Sequence, residues 1–397
     1  MNGALGHLTV LDLTHWLAGP YCTKLFAAYG ATVIKVERPG TGDPVRSAGP
    51  FYEGREDRER SIPFLWLNTG KKSVTLDLKT AAGRELALAL AERADVVVES
   101  FRPGVLDRLG LGWEALHARN PRCVLTSISS FGQTGPYRDW AATDMTLYAL
   151  AGLMHCTGDP DRPPLRSGPA VAQYTGALGA YMGTLMALFA RSRTGRGQHV
   201  DVSLHEAAIE NIEIQMVDQL HLGRNVKRNG DNHVLFPWQL QPCKDGQAAV
   251  VGGPVRHWLA AAPMFEEPRL LQDPYRRMDG RMAHRGEVAE LLAPWLMRHT
   301  RHEVYHEGQR RRLAFGYLAS MDEALESPQL AARGFFEEID HPVVGAQRYA
   351  GAPFRPQATP PRQTRAPLLG EHADEVLCEL LGRSRAEVEA WRAEGVV

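Results

Sequence analysis

The sequence contains few cysteines, and their positions form no recognisable pair. They are an odd number, lie far apart, and include neither a CxxC motif nor histidines at metal-ligand spacing. The five are Cys22, Cys123, Cys156, Cys243 and Cys378. This pattern disfavours a disulfide framework and a metal site, and it predicts structural thiols in a reducing compartment.

Long apolar runs and an excess of either charge are also missing. No run of about eighteen uncharged apolar residues is present, as a membrane helix would need, and the segment MNGALGHLTVLDLTHWLAG at residues 1–19 does not read as a secretory signal. The 397 residues include 45 Lys and Arg against 46 Asp and Glu. That balance disfavours nucleic acid and membrane surfaces as partners. We therefore expect a cytoplasmic protein that binds a small molecule.

A glycine-rich dinucleotide motif is the third absence. Residues 8–13, 20–29 and 32–37 predict a strand, a helix and a second strand, which is the βαβ unit of a Rossmann-like α/β domain. The turn after the first strand reads HWLAG at residues 15–19, without the GxGxxG motif that lets a pyrophosphate approach the backbone. The sequence therefore disfavours a nicotinamide or flavin cofactor.

Strand and helix patterns continue along the chain and then change in composition. Further strands are predicted at residues 73–78, 95–99 and 124–129, with helices at 81–91 and 106–120. After a helix predicted to end at Leu222, the polar segment GRNVKRNGDN begins a different region. We predict a large α/β domain at 1–222, a smaller second domain with linkers at 223–325, and a return segment at 326–397 that packs on the large domain through helices at 371–381 and 385–394.

The most distinctive stretch lies near the middle of the chain. Apolar and small residues run from Ala170 to Ala190 without a charge, and Arg191, Arg193 and the sequence TGRG follow. This pattern predicts a buried helix with a basic C-terminal end, and residues 199–203 then alternate like a strand. Gln173 lies in the first turn, where free N–H groups favour an anion or a developing oxyanion. The alternative is that Gln173 only satisfies those donors.

Several segments, in the same order, resemble the family III CoA-transferases. They are VLDLTHWLAGP at 10–20, ATVIKVERP at 31–39, KSVTLDLK at 72–79, ESFRPG at 99–104, SGPAVAQYTGALGAYMGTLMALFARSRTGRGQHVDVSL at 167–204 and RAPLLGEH at 365–372. The family includes formyl-CoA transferase, carnitine CoA-transferase and the α-methylacyl-CoA racemases. The resemblance implies an enzyme of acyl-CoA metabolism that moves CoA between an acyl-CoA and a carboxylic acid, without a permanently bound cofactor, as an interlocked homodimer.

The resemblance also implies which residues contact CoA. Arg38, Lys79 and Arg102 lie near three strand ends, and separated cations suit the pyrophosphate and 3′-phosphate of CoA. For Lys79 taken alone, a solvated surface charge is the preferred interpretation. The full set of expected contacts is His15, Ala18, Arg38, Leu76, Lys79, Ser100, Phe101, Arg102 and Arg108. Gly252 and Gly253 occupy the place of a glycine-rich loop that covers the family's active site, so we predict a lid there, although Pro254 follows directly.

One residue departs from the family pattern where the chemistry takes place. Counting back from TGRG, the family's catalytic aspartate falls on Gln173. In the transferases that aspartate is the nucleophile, and in the racemases it is an acid/base group; a neutral amide serves neither purpose. Thr143 also replaces the histidine that precedes Asp144 in racemase-like members, so a racemase reaction is disfavoured. We expect Asp144 to be a helix cap or a hydrogen-bond anchor.

Three interpretations remain open from the sequence. The first is a CoA-thioester enzyme with altered chemistry at Gln173. The second is a non-catalytic CoA-binding subunit that forms a hetero-oligomer with an aspartate-bearing paralogue. The third is a transferase that uses another carboxylate, Asp144 or Glu99. All three keep the CoA site, and none identifies the acyl group or the acceptor.

Overall fold

Parallel strands form the main sheet in this computed structural model, which describes residues 3–212, 214–231, 233 and 235–397. Within these ranges the sheet has the strand order β3-β2-β1-β4-β5-β6, and every pairing is parallel. The strands are β1 (Thr9–Leu13), β2 (Thr32–Glu37), β3 (Lys71–Thr75), β4 (Val96–Glu99), β5 (Val124–Ser129) and β6 (His199–Ser203). This order confirms the predicted Rossmann-like α/β fold, in which the connections change direction at β1 and β4.

Helices connect these strands and continue into the rest of the chain. They are α1 (Ala18–Ala28), α2 (Ile62–Leu67), α3 (Ala81–Arg93), α4 (Val105–Arg108), α5 (Trp113–Arg119), α6 (Asp144–Leu150), α7 (Leu153–Cys156), α8 (Val171–Thr194), α9 (Leu204–Ile209), α10 (Ile214–Leu222), α11 (Val255–Ala261), α12 (Met278–Ala283), α13 (Arg285–Leu296), α14 (Arg301–Arg310), α15 (Met321–Leu325), α16 (Pro328–Ala332) and α17 (Arg385–Ala393). Short 3₁₀ turns cover Pro44–Ser47, Tyr52–Gly54, Ala262–Phe265 and Pro268–Leu271, and Glu375–Leu380 is a π-helix.

The inner strands β2, β1, β4 and β5 are buried on both faces, as parallel strands covered by helices are, whereas the edge strand β6 alternates between exposed and partly buried residues. Helices α1 and α8 pack on one face, and α3 and α5 pack on the other. Small residues of α8 permit its close approach to α9. A Cβ on Gly176 would lie 2.2 Å from Cδ2 of Leu204. This close packing of α8 against α9 helps to position the N-terminal turn of α8.

Two predicted helices are interrupted in the structure. The helix expected at 106–120 is divided into α4 and α5, because Gly110 has a φ of +72° and a Cβ on Gly112 would lie 1.9 Å from Oδ1 of Asp107. The helix predicted to end at Leu222 is likewise divided into α9 and α10. The strand predicted at 73–78 ends earlier, at Thr75, which leaves residues 76–79 as a loop at the sheet edge.

The chain divides into two compact units. The first contains the described residues of Met1–Leu153, Arg166–Met216 and Ala332–Val397, and the second contains those of Met154–Leu165 and Val217–Ala331. The first unit includes the main sheet and the hairpin of β10 (Phe336–Ile339) and β11 (Gln347–Ala350). In the second unit, β7 (Trp238–Cys243), β8 (Gly246–Val251) and β9 (Gly316–Tyr317) form an antiparallel sheet. Residues 154–165, counted with the large domain from the sequence, belong to the second unit.

Candidate active site

Buried charges fix the turn that follows β1. Nζ of Lys35 lies 2.8 Å from Oδ2 of Asp43 and donates a hydrogen bond to the Thr14 carbonyl at 2.9 Å. Nζ of Lys71 lies 2.9 Å from Oδ2 of Asp12, whose other oxygen accepts bonds from the Thr14 backbone and hydroxyl. Burial alone would raise the pKa of Asp12, but the two lysines keep it below its usual range. These buried ion pairs and hydrogen bonds therefore hold the turn at residues 15–18 in place.

A cavity of about 850 Å³ opens above this turn, at the C-terminal ends of β1, β4 and β5. The loops after β1, β2, β4 and β5 line it, together with the first turns of α1, α6 and α8. Open parallel sheets bind ligands at this edge, where the connections on either side run in opposite directions. The cavity therefore has the position expected of a ligand site in this fold.

A second cavity of about 390 Å³ adjoins the first and shares His15, Arg38 and Phe101 with it. The structure brings the predicted contact residues together around these two cavities. Those that line the larger cavity are His15, Ala18, Arg38, Ser100, Phe101, Arg102, Arg108 and Gln173, and those that line the smaller one are His15, Arg38, Leu76, Lys79 and Phe101. The early end of β3 is what places Leu76 and Lys79 there, in a loop.

Positive charge dominates the larger cavity. Arg38, Arg102, Arg108 and Arg138 all line it, and within the described part of the chain none of their guanidinium groups pairs with a carboxylate. Nε of Arg138 is buried without a hydrogen-bond partner among the same residues. Unpaired cations at the rim of a cleft attract anionic ligands and can hold phosphate or carboxylate groups.

Several lining residues were missed from the sequence, among them Trp16, Arg138 and Trp140. Trp16 has a φ of +66°, and its indole is 57% exposed beside the cavity. Arg138 and Trp140 come from the turn FGQTGPYRDW that follows β5. The sequence contained a signal for Arg138 and Trp140, because they follow the end of a strand of the same sheet, as Arg38 and Arg102 do.

Glu99 stands at the end of β4 but lines neither of the two cavities. Its Oε2 accepts a hydrogen bond of 2.7 Å from the Phe101 backbone, and its carboxyl group also bonds to Ser127. Burial raises the pKa of Glu99 to about 7. Glu99 therefore positions the loop that carries Phe101, and it does not present a carboxylate to the ligand.

Gln173 and Asp144 meet where α6 and α8 begin. The Gln173 backbone N–H donates to Oδ1 of Asp144 at 3.2 Å, and both residues line the larger cavity. The side-chain amide of Gln173 has no hydrogen-bond partner among the described residues. Thr143 is the N-cap of α6 and forms a capping box with Thr146. Of the two structural roles expected for Asp144, the structure shows the hydrogen-bond anchor.

Comparison with known proteins shows the family of this chain. The sequence model described as CoA-transferase family III matches residues 5–373. The chain belongs to CoA-transferase family III. Related family members include the succinyl-CoA–D-citramalate CoA-transferase of Chloroflexus aurantiacus, which is 35% identical and aligns over 99% of this chain and 98% of its own. The formyl-CoA:oxalate CoA-transferase of Rhodopseudomonas palustris is 34% identical over 100% of this chain and 98% of its own.

A solved structure supports the same family assignment. The crystal structure of a CaiB/BaiF family protein from Brucella suis superimposes with a TM-score of 0.85 and is 32% identical, and the alignment covers 96% of this chain and 100% of that one. The mixed α/β architecture with a parallel sheet is therefore shared with a solved relative.

Gly252 and Gly253, at the place of the family's glycine-rich loop, are buried within the second unit. The Gly252 N–H donates to the Pro237 carbonyl at 2.7 Å, and Nη2 of Arg281 donates to the Gly253 carbonyl at 2.6 Å. A Cβ on Gly253 would lie 2.7 Å from Cβ of Leu235. Packing alone thus requires glycine at 253. The lid stays a prediction, and acyl-CoA turnover by a folded Gly252→Ala variant would test it.

Neither a membrane-spanning helix nor a metal-binding cluster occurs among the described residues. None of their helices is both long and apolar enough to cross a membrane. No group of three or more His, Cys, Asp or Glu side chains among them is placed to hold a metal ion.

Proposed function

We propose that this protein binds an acyl-CoA in the paired cavities and transfers its CoA to a carboxylic acid. The main support for the proposal is the set of arginines without carboxylate partners that lines the larger cavity, which reaches the N-terminal turn of α8. Both related transferases named above act on a CoA thioester, one with succinyl and one with formyl as the acyl group. CoA is a substrate in this reaction, and no resident cofactor is needed.

The cavities suit the two ends of an acyl-CoA. Arg38, Arg102 and Arg108 supply charge-assisted hydrogen bonds for the phosphates, and Leu76 and Lys79 line the smaller cavity, which accepts the nucleotide end. The larger cavity then receives the thioester near Gln173. Because a neutral amide has no nucleophilic carboxylate, no acyl adduct forms on Gln173 itself.

Gln173 also supports a second candidate function, that of a CoA-binding subunit beside an aspartate-bearing paralogue. The two candidates differ in what the pure protein does by itself. Formyl-CoA, acetyl-CoA and succinyl-CoA are each incubated with a panel of carboxylic acids, and new thioesters are identified by mass spectrometry. Transfer by the pure protein supports the enzyme. CoA binding without transfer, together with copurification of a paralogue, supports the subunit.

Arg38→Ala is expected to weaken CoA binding. Loss of one charge-assisted phosphate contact costs about 1.5–3 kcal/mol, or roughly 10-fold to 150-fold in Kd. Isothermal calorimetry with CoA measures the change. Arg119→Ala is the control, because Arg119 pairs with Glu85 and Glu92 and lies outside both cavities. An unchanged affinity in Arg38→Ala, or no CoA binding by the wild type at millimolar concentration, would contradict the assignment of the CoA site.

A homodimer is the assembly that we propose, and an apolar stripe on α8 supports it. Leu178, Met182, Met186 and Phe189 recur at helical spacing on one face, and Met186 and Phe189 are about 70% exposed. Light scattering should give the mass of two chains, and Met186→Glu should reduce it to one. Met321→Glu changes an equally exposed methionine on α15 and should keep the dimer. A wild-type monomer would refute the proposal.

A further inference from the structure

Among the described residues that line the larger cavity, the acidic ones are Asp139 and Asp144. Asp139 is exposed, whereas Asp144 is partly buried and contacts the backbone of Gln173. Glu99, the other carboxylate considered from the sequence, does not line the cavity and is bonded to Ser127 and to the Phe101 backbone. Asp144 is therefore the carboxylate that lies beside the residue where the family carries its nucleophile.

The carboxylate of Asp144 is fixed in position, and one of its oxygens has no partner among the described residues. Thr143 caps α6, and the following turn is anchored by the buried side chains of Leu147 and Tyr148, so the backbone of Asp144 is fixed. Its Oδ1 accepts the Gln173 N–H in the first turn of the 24-residue helix α8, which holds the carboxylate beside residue 173. No other hydrogen bond or ion pair of Asp144 occurs in the part of the chain that the structure describes, so Oδ2 is free to attack.

We propose that Asp144 is the nucleophile of this protein, in place of the aspartate missing at residue 173; this inference rests on the proposed CoA transfer. One carboxylate oxygen attacks the thioester carbonyl, and the C–S bond breaks. CoA departs as a thiolate, and an acyl-aspartyl anhydride remains on the protein. The thiolate then attacks the Asp144 carbonyl, releases the donor acid as its carboxylate, and forms an aspartyl-CoA thioester. The acceptor carboxylate then attacks the aspartyl-CoA thioester and forms a second anhydride, with release of the thiolate. The thiolate attacks the acceptor's carbonyl carbon in this anhydride, which gives the new acyl-CoA and regenerates the Asp144 carboxylate. No net proton is consumed.

The oxygen atoms provide a test that needs no variant. In this sequence of steps one oxygen of the acceptor acid remains on Asp144 after each turnover, and the previous oxygen of Asp144 leaves with the donor acid. The wild-type protein is incubated with succinyl-CoA and ¹⁸O-labelled succinate, and in parallel with formyl-CoA and ¹⁸O-labelled formate. Peptide mapping should find ¹⁸O in the peptide that contains Asp144, and borohydride trapping should modify the same residue.

Variants supply the second arm of the test. Asp144→Asn keeps an Oδ1 acceptor for the Gln173 N–H but removes the nucleophile, so CoA transfer should fall by about 10³-fold or more while CoA binding is retained. Asp322→Asn is the matched control, because Asp322 is an exposed aspartate in the first turn of α15 and lies outside both cavities; it should change transfer by less than about threefold. If Asp144→Asn does not fold, the ¹⁸O measurement on the wild type still decides.

The outcomes separate this inference from the proposed function. Transfer without ¹⁸O on Asp144, or an active Asp144→Asn protein, overturns the inference and leaves the CoA-transferase proposal intact. CoA binding with neither transfer nor a trapped adduct, for both acyl-CoA probes, overturns both. Label and adduct on Asp144, with loss of transfer in Asp144→Asn, support both.

Discussion

Gln173→Asp is expected to acquire a covalent acyl or CoA adduct on residue 173 when it is incubated with an acyl-CoA. The substitution restores a carboxylate, one methylene shorter than the wild-type amide, in the first turn of α8 and within the larger cavity. The helix N-terminus stabilises its anionic form, and the carboxylate can attack a thioester carbonyl. Hydroxylamine or borohydride treatment followed by peptide mapping measures the adduct. We expect extensive labelling of residue 173 in the variant and none in the wild type.

Gln173→Asn is the matched control for this experiment. Asn has the shape of Asp but no carboxylate, so residue 173 should remain unmodified in the control and modified in Gln173→Asp. The two variants share the same change of length, so a difference between them reports the chemistry of the side chain. A folded, CoA-binding Gln173→Asp protein that stays unmodified at 173 with every acyl-CoA tried would contradict the prediction. If Asp144 also stays unmodified, the result favours the binding-subunit function.

Arg46→Met is expected to destabilise the first unit by about 3–5 kcal/mol, as removal of one partner from a buried ion pair does. Nε and Nη2 of Arg46 bond both carboxylate oxygens of Glu37 at 2.7 and 3.0 Å, and both side chains are fully buried. Nη2 of Arg46 also donates to the Pro367 carbonyl, which ties the return segment to the main sheet. Methionine would leave Glu37 as a buried charge without its cation. Denaturant unfolding measures the loss of stability.

The loss should depend on pH, and its sign follows from Glu37. Burial alone would raise the pKa of Glu37, but the hydrogen bonds and charge of Arg46 hold it below the usual 4.5. In the wild type this carboxylate therefore stabilises the fold above about pH 4.5, and that contribution is lost as the pH falls. Without Arg46, mainly Lys35 and Ser73 still oppose the effect of burial, so the pKa of Glu37 rises and its ionised form destabilises the variant most at neutral pH. The two proteins should approach each other in stability below about pH 4.5.

Arg277→Met provides the comparison for this second prediction. Arg277 pairs with Asp279, but both side chains are more than 60% exposed, so solvent screens the pair. We expect no measurable change of stability and no pH dependence from this substitution. Equal effects of the two substitutions would show that burial of the Glu37–Arg46 pair has no energetic consequence.

Local pattern was sufficient for most secondary structure. The strands β2, β5 and β6 begin and end where they were predicted, because β-branched residues recur in each and a Gly or Pro precedes each closely, although α9 follows β6 directly. The prediction of one helix at 106–120 was wrong for a local reason. Gly110 has a φ of +72° and Gly112 lies against the side chain of Asp107, so the two glycines end one helix and begin another.

By itself the sequence determined the family, the parallel α/β sheet and the presence of Gln173 in the first turn of the central helix. These features depend on residue order and spacing, which the printed sequence contains. Only the tertiary structure decided that Asp144 lies against the Gln173 backbone, that Arg138 joins the other cavity arginines, and that Glu99 does not line the cavity. Each is a matter of direction and long-range packing, because residues 144 and 173 meet only when α6 and α8 pack at the same edge of the sheet.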